Sequence, residues 1–235
     1  MEKDDCSGRI IRLAGAHNLR DIGGYPTTDG HSVKRGSFYR SGSMHELTRA
    51  AQMELIKYGV RNVVDLRRKI ELKQFPNVFA ESSQVNYMHH DLMGGYSLLT
   101  VSKVATNSAT DTSVAQLVDL YTSILDFRRR QIVDILGVLA SLRGSPVVFH
   151  CMAGKDRTGI LSSLLLSIAR VPSEIIVQDY AMNEWLTGDL RPRDAMVGII
   201  NHIESSYGDI ESYVLDGGLT SENLNLLRCA LIDEQ

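Results

Sequence analysis

The chain has 235 residues, of which 43% are hydrophobic and 23% are charged, and its formal net charge is −3. This is the composition of a globular domain with a sizeable core, and the slight negative charge excludes a general attraction to nucleic acids or anionic membranes. The sequence contains no run of 18 apolar residues, which excludes a transmembrane helix, and its three cysteines are too far apart for a disulfide or zinc framework.

The first eight residues are polar and predict a flexible tail (1–8), followed by a single domain over residues 9–235. The tail has no apolar signal core, so we expect a reducing, cytoplasmic setting, with non-classical secretion as the alternative. The two cysteines outside the central motif are interpreted as a tail thiol, Cys6, and a buried helix residue, Cys229.

Short strands and one capped helix are predicted for the first half of the domain. Gly30 and Gly36 bracket a predicted hairpin. Thr48 is a favourable N-cap for a helix that passes through residues 55–58, and Gly59 suits its C-terminal end. Strands are predicted at residues 38–43, 60–66 and 85–88.

Helices dominate the second half. Residues 94–113 are rich in Gly, Ser, Thr and Asn, and they predict a mobile loop that can serve as an active-site lid. Apolar residues at helical spacing then predict two helices joined near Arg128–Arg130, a basic triplet that we interpret as a solvated face, with lipid headgroup contact as the alternative. Further helices are predicted at residues 157–170, 173–186, 192–206, 209–215 and 220–233.

The most informative segment runs from His150 to Gly159. It lies between an apolar run at 145–149, which predicts a buried strand, and a second run at 160–166, which predicts a buried helix. Cys151 ends the strand, and Arg157 begins the helix six positions later. Backbone N–H groups at a helix N-terminus and the fixed charge of Arg157 favour a thiolate at Cys151. The spacing therefore predicts an anion-binding loop that contains its own nucleophile.

The residue types of this loop fit phosphate chemistry. The guanidinium of Arg157 is a planar fork that can bind two phosphoryl oxygens and hold the charge that develops in the transition state. Gly154 and Gly159 permit tight turns and close helix packing where a Cβ atom would intrude. The residues between the Cys and the Arg are predicted to bind the phosphoryl group, namely Met152, Ala153, Gly154, Lys155 and Asp156.

Three motifs together resemble one family. They are the segment 18–24 (Asn-Leu-Arg-Asp-Ile-Gly-Gly), the segment 64–67 (Val-Asp-Leu-Arg) with Glu71 after it, and the loop Cys-x-x-Gly-Lys-Asp-Arg-Thr. Over nearly the whole chain they resemble the Cys-x5-Arg protein tyrosine phosphatases of bacteria, in the group of the mycobacterial secreted tyrosine phosphatase B and its phosphoinositide-cleaving relatives. The resemblance implies an α/β fold with a central, mostly parallel sheet flanked by helices, and a helical lid.

The resemblance also implies a mechanism that needs no cofactor. Cys151 would attack phosphorus, and water would hydrolyse the resulting phosphocysteine. His150 would orient the loop through a hydrogen bond to its backbone, and the Thr158 hydroxyl would help release the sulfur. Phosphotyrosine in proteins is the expected substrate. Phosphoinositides come second, because Lys155 and Asp156 resemble the charged loops of lipid phosphatases, and dual activity is compatible with both.

The general acid is the point at which the sequence departs from the family pattern. There is no Trp-Pro-Asp loop, and the single tryptophan, Trp185, falls in a later predicted helix. Asp91 is the first choice by position, because it follows a short strand and opens onto the loop at 94–113; a solvated turn residue is the alternative interpretation. Asp156 is the second candidate, although a carboxylate beside a bound dianion is unfavourable unless it is protonated.

Other polar residues are interpreted as structural. Asp65 and Arg67 are expected to hold a strand end and its loop in place. The adjacent His89 and His90 would point to opposite faces of a strand, and no ligand set accompanies them, so we expect no metal. Structural braces are expected at Asn18, Arg20, Asp21 and Arg40, with substrate contact by Arg40 as the alternative.

Two rival functions remain open. A rhodanese-type sulfurtransferase also uses a loop cysteine, but its loop usually lacks an Arg-Thr-Gly helix start. A phosphate-binding pseudoenzyme would keep the loop and lose turnover, and the intact Cys151, Arg157 and Thr158 argue against it.

Overall fold

Residues 8–94, 114–187 and 193–233 are described in a computed structural model. In this part of the chain the central sheet has five strands, which are, in spatial order, β1 (Arg20–Asp21), β3 (Phe38–Ser41), β6 (Val147–His150), β4 (Asn62–Asp65) and β5 (Asn86–His89). All neighbouring strands are parallel except β1, which is antiparallel to β3. The prediction of a central, mostly parallel sheet is confirmed.

Helices make up most of the remaining described residues. In chain order they are α1 (Arg49–Lys57), α2 (Lys69–Gln74), α3 (Val114–Phe127), α4 (Arg129–Ser141), α5 (Asp156–Ile168), α6 (Ser173–Thr187), α7 (Arg193–Tyr207), α8 (Ile210–Asp216) and α9 (Ser221–Leu231). None of the helices in the described ranges combines the length and the apolar character that a membrane crossing requires.

The sheet is covered on both faces. This is shown by β6, in which successive residues pack in different apolar clusters. Val148 packs in the smaller cluster with Leu55 of α1, whereas Phe149 packs in the larger cluster with Leu161 of α5. All four residues of β6 are buried, as expected for a parallel strand between two helical layers. The strand that precedes Cys151 is therefore at the buried centre of the domain.

Local signals predicted the first helix and the helical pair well. The Thr48 hydroxyl accepts a hydrogen bond from the N–H of Ala51 at 3.2 Å, and Gly59 has a φ of +92° beyond the end of α1. The apolar stripes predicted for α3 and α4 are buried, at Leu117, Tyr121, Ile124 and Leu125, and at Ile132, Ile135, Leu136 and Leu139.

Strand pairing corrects two predictions about chain segments. The local hairpin lies before Gly30 rather than between Gly30 and Gly36: the N–H of Val33 donates to the carbonyl of Tyr25 at 2.8 Å, and the N–H of Gly24 donates to that of Val33 at 2.6 Å. In addition, β2 (Ser32–Val33) pairs antiparallel with β7 (Ile232–Asp233). The last predicted helix therefore ends at Leu231, and the two residues after it are extended. A pairing between residues about 200 positions apart leaves no local sequence signal.

Two side-chain environments also differ from expectation. Cys229 is exposed rather than buried, because it lies on the solvent side of α9. Arg129 is not part of a solvated face: its guanidinium donates to the carbonyl oxygens of Tyr213 at 2.8 Å and Ser212 at 3.1 Å, and so it joins α4 to α8. The tail at 1–8 and the loop and lid at 94–113 lie outside the described residues, apart from Gly8 and Gly94.

Candidate active site

The loop between β6 and α5, residues 151–157, is called the cysteine loop below. Cys151 follows the central strand directly and is 2% exposed, and Arg157 lies in the first turn of α5 and is 4% exposed. Gly154 has a φ of +70°, and a Cβ atom there would lie 2.5 Å from the backbone nitrogen of Gly42. Glycine is thus required at this position both by conformation and by space.

In the cysteine loop the backbone carbonyl groups have hydrogen-bond partners, whereas several backbone N–H groups do not. The carbonyl of Met152 accepts from the N–H of Ser43 at 2.8 Å, and the carbonyl of Gly154 accepts from Asn18 Nδ2 at 2.8 Å. The N–H groups of Met152, Ala153 and Gly154 have no acceptor among the described residues. The carbonyl oxygens are thus held by neighbouring segments, while the unpaired N–H groups remain available to bind an anion.

Arg157 is oriented by Glu71 of α2, a partner 86 residues earlier in the chain. Its Nη1 donates to Glu71 Oε2 at 2.7 Å and its Nη2 donates to Oε1 at 2.8 Å, so one edge of the guanidinium is occupied. The Nε–H on the other edge is buried and has no partner within the described ranges. This edge is free to bind the oxygens of an anion.

The pKa values of this pair follow from their contact. Burial raises the pKa of Glu71, but the hydrogen bond and charge of Arg157 outweigh it and bring the pKa to about 2. Burial lowers the pKa of Arg157, but the charges of Cys151 and Glu71 more than offset it and raise this pKa above its usual value. Both groups are therefore ionised at neutral pH.

On one side of the loop lies a buried group that we call the Asp65 cluster (Asp65, Arg67, Asn77 and His150). Arg67 donates to both carboxylate oxygens of Asp65, with Nη2 at 2.7 Å, and Asn77 Nδ2 lies 2.9 Å from His150 Nε2. His150 Nδ1 lies 3.1 Å from the carbonyl oxygen of Cys151. Burial raises the pKa of Asp65, but His150 and Arg67 hold it well below its usual range.

On the other side lies the Asp179 cluster (Asn18, Arg20, Arg40, Asp179 and Asn183). Asp179 of α6 accepts from Arg20 Nε at 3.2 Å and from Arg40 Nη1 at 2.7 Å. Arg40 is fully buried, and its Nη2 donates to the Gly154 carbonyl at 3.0 Å. Burial raises the pKa of Asp179, but the two guanidinium groups lower it to about 2.

The two candidate acids occupy different settings. Asp91 follows β5, and its Oδ1 accepts from the N–H groups of Met93 and Gly94, both at 2.9 Å. Asp156 lies in the cysteine loop, where its Oδ1 accepts from the hydroxyl of Tyr121. Burial and the nearby Asp156 charge raise the pKa of Tyr121 well above its usual value, so Tyr121 is a hydrogen-bond donor at neutral pH.

The remaining predicted site residues lie around the loop as follows. The Thr158 hydroxyl is fully buried and forms no hydrogen bond with any described residue. Ala153 is exposed, and Met152 and Lys155 are partly exposed. His89 Nε2 lies 2.7 Å from the Arg67 carbonyl. In the described ranges no three His, Cys, Asp or Glu side chains come together as a metal site would require.

Sequence reasoning missed two functional contacts. Glu71 was recognised only as part of a motif, and its pairing with Arg157 could not be derived because α2 and α5 are distant in sequence. Asp179 sits inside a predicted helix with no distinguishing local pattern. The role of Asp179 can be recognised only in the folded structure, which brings its two arginine partners together.

An anion-binding loop that carries its own thiol, at the end of the central strand of an α/β domain, identifies a cysteine-dependent phosphatase. The sequence model of the tyrosine phosphatase family matches residues 11–233, and the chain belongs to the tyrosine phosphatase family. The predicted class of enzyme, a tyrosine phosphatase of the Cys-x5-Arg type, is confirmed.

Individual relatives agree with this assignment. The chain is 26% identical to a tyrosine-protein phosphatase of Nostoc commune over 88% of this chain and 78% of that one. It is 23% identical to the triple specificity protein phosphatase PtpB of Mycobacterium tuberculosis, over 95% and 99%. The crystal structure of TpbA from P. aeruginosa aligns at a TM-score of 0.35 and 15% identity, over 77% of this chain and 86% of that one.

Proposed function

We propose that Cys151 attacks the phosphorus of phosphotyrosine and that the cysteine loop binds the phosphoryl group during transfer. In this step a sulfur–phosphorus bond forms, the bond from phosphorus to the tyrosyl oxygen breaks, and that oxygen takes a proton from a general acid. Water then attacks the phosphocysteine, which releases phosphate and the thiolate.

One observation carries this proposal: the loop that begins with Cys151 contains several unpaired donors. The N–H groups of Met152, Ala153 and Gly154 and the buried Nε–H of Arg157 lack acceptors among the described residues. A buried donor without an acceptor, such as the Nε–H of Arg157, costs free energy, and a phosphoryl group would satisfy it together with the loop N–H groups. Glu71 fixes the orientation of Arg157, so its second edge is preorganised for phosphoryl oxygens.

For the general acid we propose Asp91. Its Oδ1 is held by two backbone N–H groups, while its Oδ2 forms no hydrogen bond with the described residues and can carry a proton. Asp156 is the second candidate, with one oxygen already bound to Tyr121. For the second step we propose that the Thr158 hydroxyl, buried and without a partner in the described ranges, donates to the departing sulfur.

The proposed substrate is phosphotyrosine in proteins first and phosphoinositides second. The partly exposed Lys155 adds a positive charge to the loop, which suits a substrate with several phosphates. The relative named as a triple specificity phosphatase supports broad specificity. We also propose that residues 9–235 act as a single domain in the cytoplasm, where thiols such as Cys151 and Cys229 stay reduced.

Parallel kinetics on phosphotyrosine peptides, phosphoserine peptides and a phosphoinositide series test the substrate proposal. We expect the highest kcat/KM on phosphotyrosine peptides and measurable turnover of phosphoinositides. A higher kcat/KM on the lipids would reverse the order. Turnover of thiosulfate would support a sulfurtransferase instead, and binding of phosphoesters without hydrolysis would support a pseudoenzyme.

A further inference from the structure

Arg40 lies between the Asp179 cluster and the cysteine loop. It is fully buried on β3, whose partner β6 leads into Cys151. Its Nη1 donates to Asp179 at 2.7 Å and its Nη2 to the Gly154 carbonyl at 3.0 Å. Its Nε–H is also buried and has no partner within the described residues. One side chain thus joins the cluster to the loop.

The Asp179 cluster contains two guanidinium groups for one carboxylate, so one positive charge is not balanced within it. Burial and the neighbouring Arg20 lower the pKa of Arg40 to about 10, while Asp179 and Cys151 act in the opposite direction. An interaction between two charges acts on both of them. In the register of the sheet Arg40 lies opposite Phe149, two residues before Cys151, so its positive charge lies near the thiol.

Several other charged or titratable groups face the same region, and they set the background against which Arg40 acts. They are Arg157 and Asp156 on α5, Lys155 in the loop, His150 on β6, and Glu71 on α2, which pairs with Arg157.

We propose that Arg40 is a positioning residue of the phosphatase site: it keeps the Gly154 carbonyl turned out of the anion site and supplies a second buried positive charge near Cys151. Holding this carbonyl outward keeps the adjacent N–H groups available to the phosphoryl oxygens. The inference rests on the proposed function of Cys151 as the nucleophile. It goes beyond that function by assigning part of the thiolate's stability to a residue outside the loop.

The test measures alkylation of Cys151 by neutral iodoacetamide against pH, in a Cys6→Ser, Cys229→Ser background that removes the other two thiols. Arg40→Gln is expected to move the midpoint of this profile upward by about one pH unit. Asp179→Asn is expected to move it downward, because the carboxylate that offsets Arg40 is lost. Asn18→Ala removes a hydrogen bond to the same carbonyl without changing charge; it is expected to weaken vanadate binding and leave the midpoint in place.

Shifts of the alkylation midpoint in opposite directions in Arg40→Gln and Asp179→Asn distinguish an electrostatic role of Arg40 from a purely structural one. If Arg40→Gln and Asp179→Asn both move the midpoint upward, or neither moves it, the inference is overturned. Near-UV circular dichroism checks folding. Arg40→Lys serves where the Gln variant does not fold: it keeps the charge but loses the planar fork, so vanadate binding is expected to weaken several-fold with an unchanged midpoint. A shifted midpoint in Arg40→Lys also overturns the inference.

The same measurement separates this inference from the proposed function. Cys229 in a Cys6→Ser, Cys151→Ser variant provides the profile of an exposed thiol of the same chain. If the profile of Cys151 in the parent protein coincides with that of Cys229, the nucleophile proposal fails. If the two profiles differ but Arg40→Gln leaves that of Cys151 unchanged, only the role of Arg40 fails.

Discussion

The two buried clusters that flank the cysteine loop both hold a carbonyl group of the loop, but they differ in net charge. The Asp65 cluster pairs one guanidinium with one carboxylate and reaches the Cys151 carbonyl through His150. The Asp179 cluster places two guanidinium groups on one carboxylate and reaches the Gly154 carbonyl through Arg40. Both fix a carbonyl group of the loop, but only the second leaves an arginine unbalanced. Damage to the first should therefore appear mainly in stability, and damage to the second also in chemistry.

The largest effect is expected for the residue that both clusters support. Cys151→Ser should lower turnover by at least ~10⁴-fold, because the nucleophile is lost while both clusters and Arg157 remain. Vanadate binding, measured by calorimetry, should persist. Phosphatase activity near that of the wild type would rule out the covalent mechanism.

Loss of the general acid is expected to have the next largest effect. The experiment tests whether this acid is Asp91 or Asp156 of the cysteine loop. Asp91→Ala should lower kcat by roughly 10²–10⁴-fold for substrates with poor leaving groups and much less for nitrophenyl phosphate. Asp156→Ala is the matched comparison, measured on the same pair of substrates. If Asp156→Ala instead shows the larger loss with poor leaving groups, the acid belongs to the loop itself.

Asp65→Asn tests the Asp65 cluster, in which one carboxylate balances one guanidinium. Arg67 is fully buried and would lose its charged partner, so the free energy of unfolding in urea should fall by about 3–5 kcal/mol. The midpoint of Cys151 alkylation should stay where it is. Glu54→Gln is the control, since its pair with Lys57 is largely exposed and should contribute less than about 1 kcal/mol. A shift of the alkylation midpoint would mean that the two clusters do not differ in the proposed way.

Glu71 gives the smallest effect, and it depends on pH. Its pKa is about 2 in the folded protein against a usual value of 4.5, so its contribution to stability is present above pH 4.5 and is lost as pH falls toward 2. The difference corresponds to about 3 kcal/mol. Urea unfolding at several pH values should show this loss in the wild type and a reduced slope in Glu71→Gln. Equal slopes in the two proteins would contradict the assignment.

Much of the fold could be predicted because its signals are local. The cap at Thr48, the apolar stripe of α3 and the buried run before Cys151 each act over a few residues. The same holds for the cysteine loop, whose strand, glycine turn and helix start are contiguous. The contacts of Glu71 and Asp179 could not be predicted, because each bridges segments more than 80 residues apart and depends on the register of the sheet.

The pairing of β2 with β7 has a consequence for biosynthesis. Val33 is synthesised about 200 residues before Ile232, yet they are direct partners, and the N–H of Lys34 also donates to the carbonyl of Leu231 at 2.6 Å. Until Ile232 has left the ribosome, β2 can pair only with the residues just before it, through the hydrogen bonds of Val33 with Gly24 and Tyr25. The small sheet formed with β7 can therefore close only after α9 has been synthesised, long after β2.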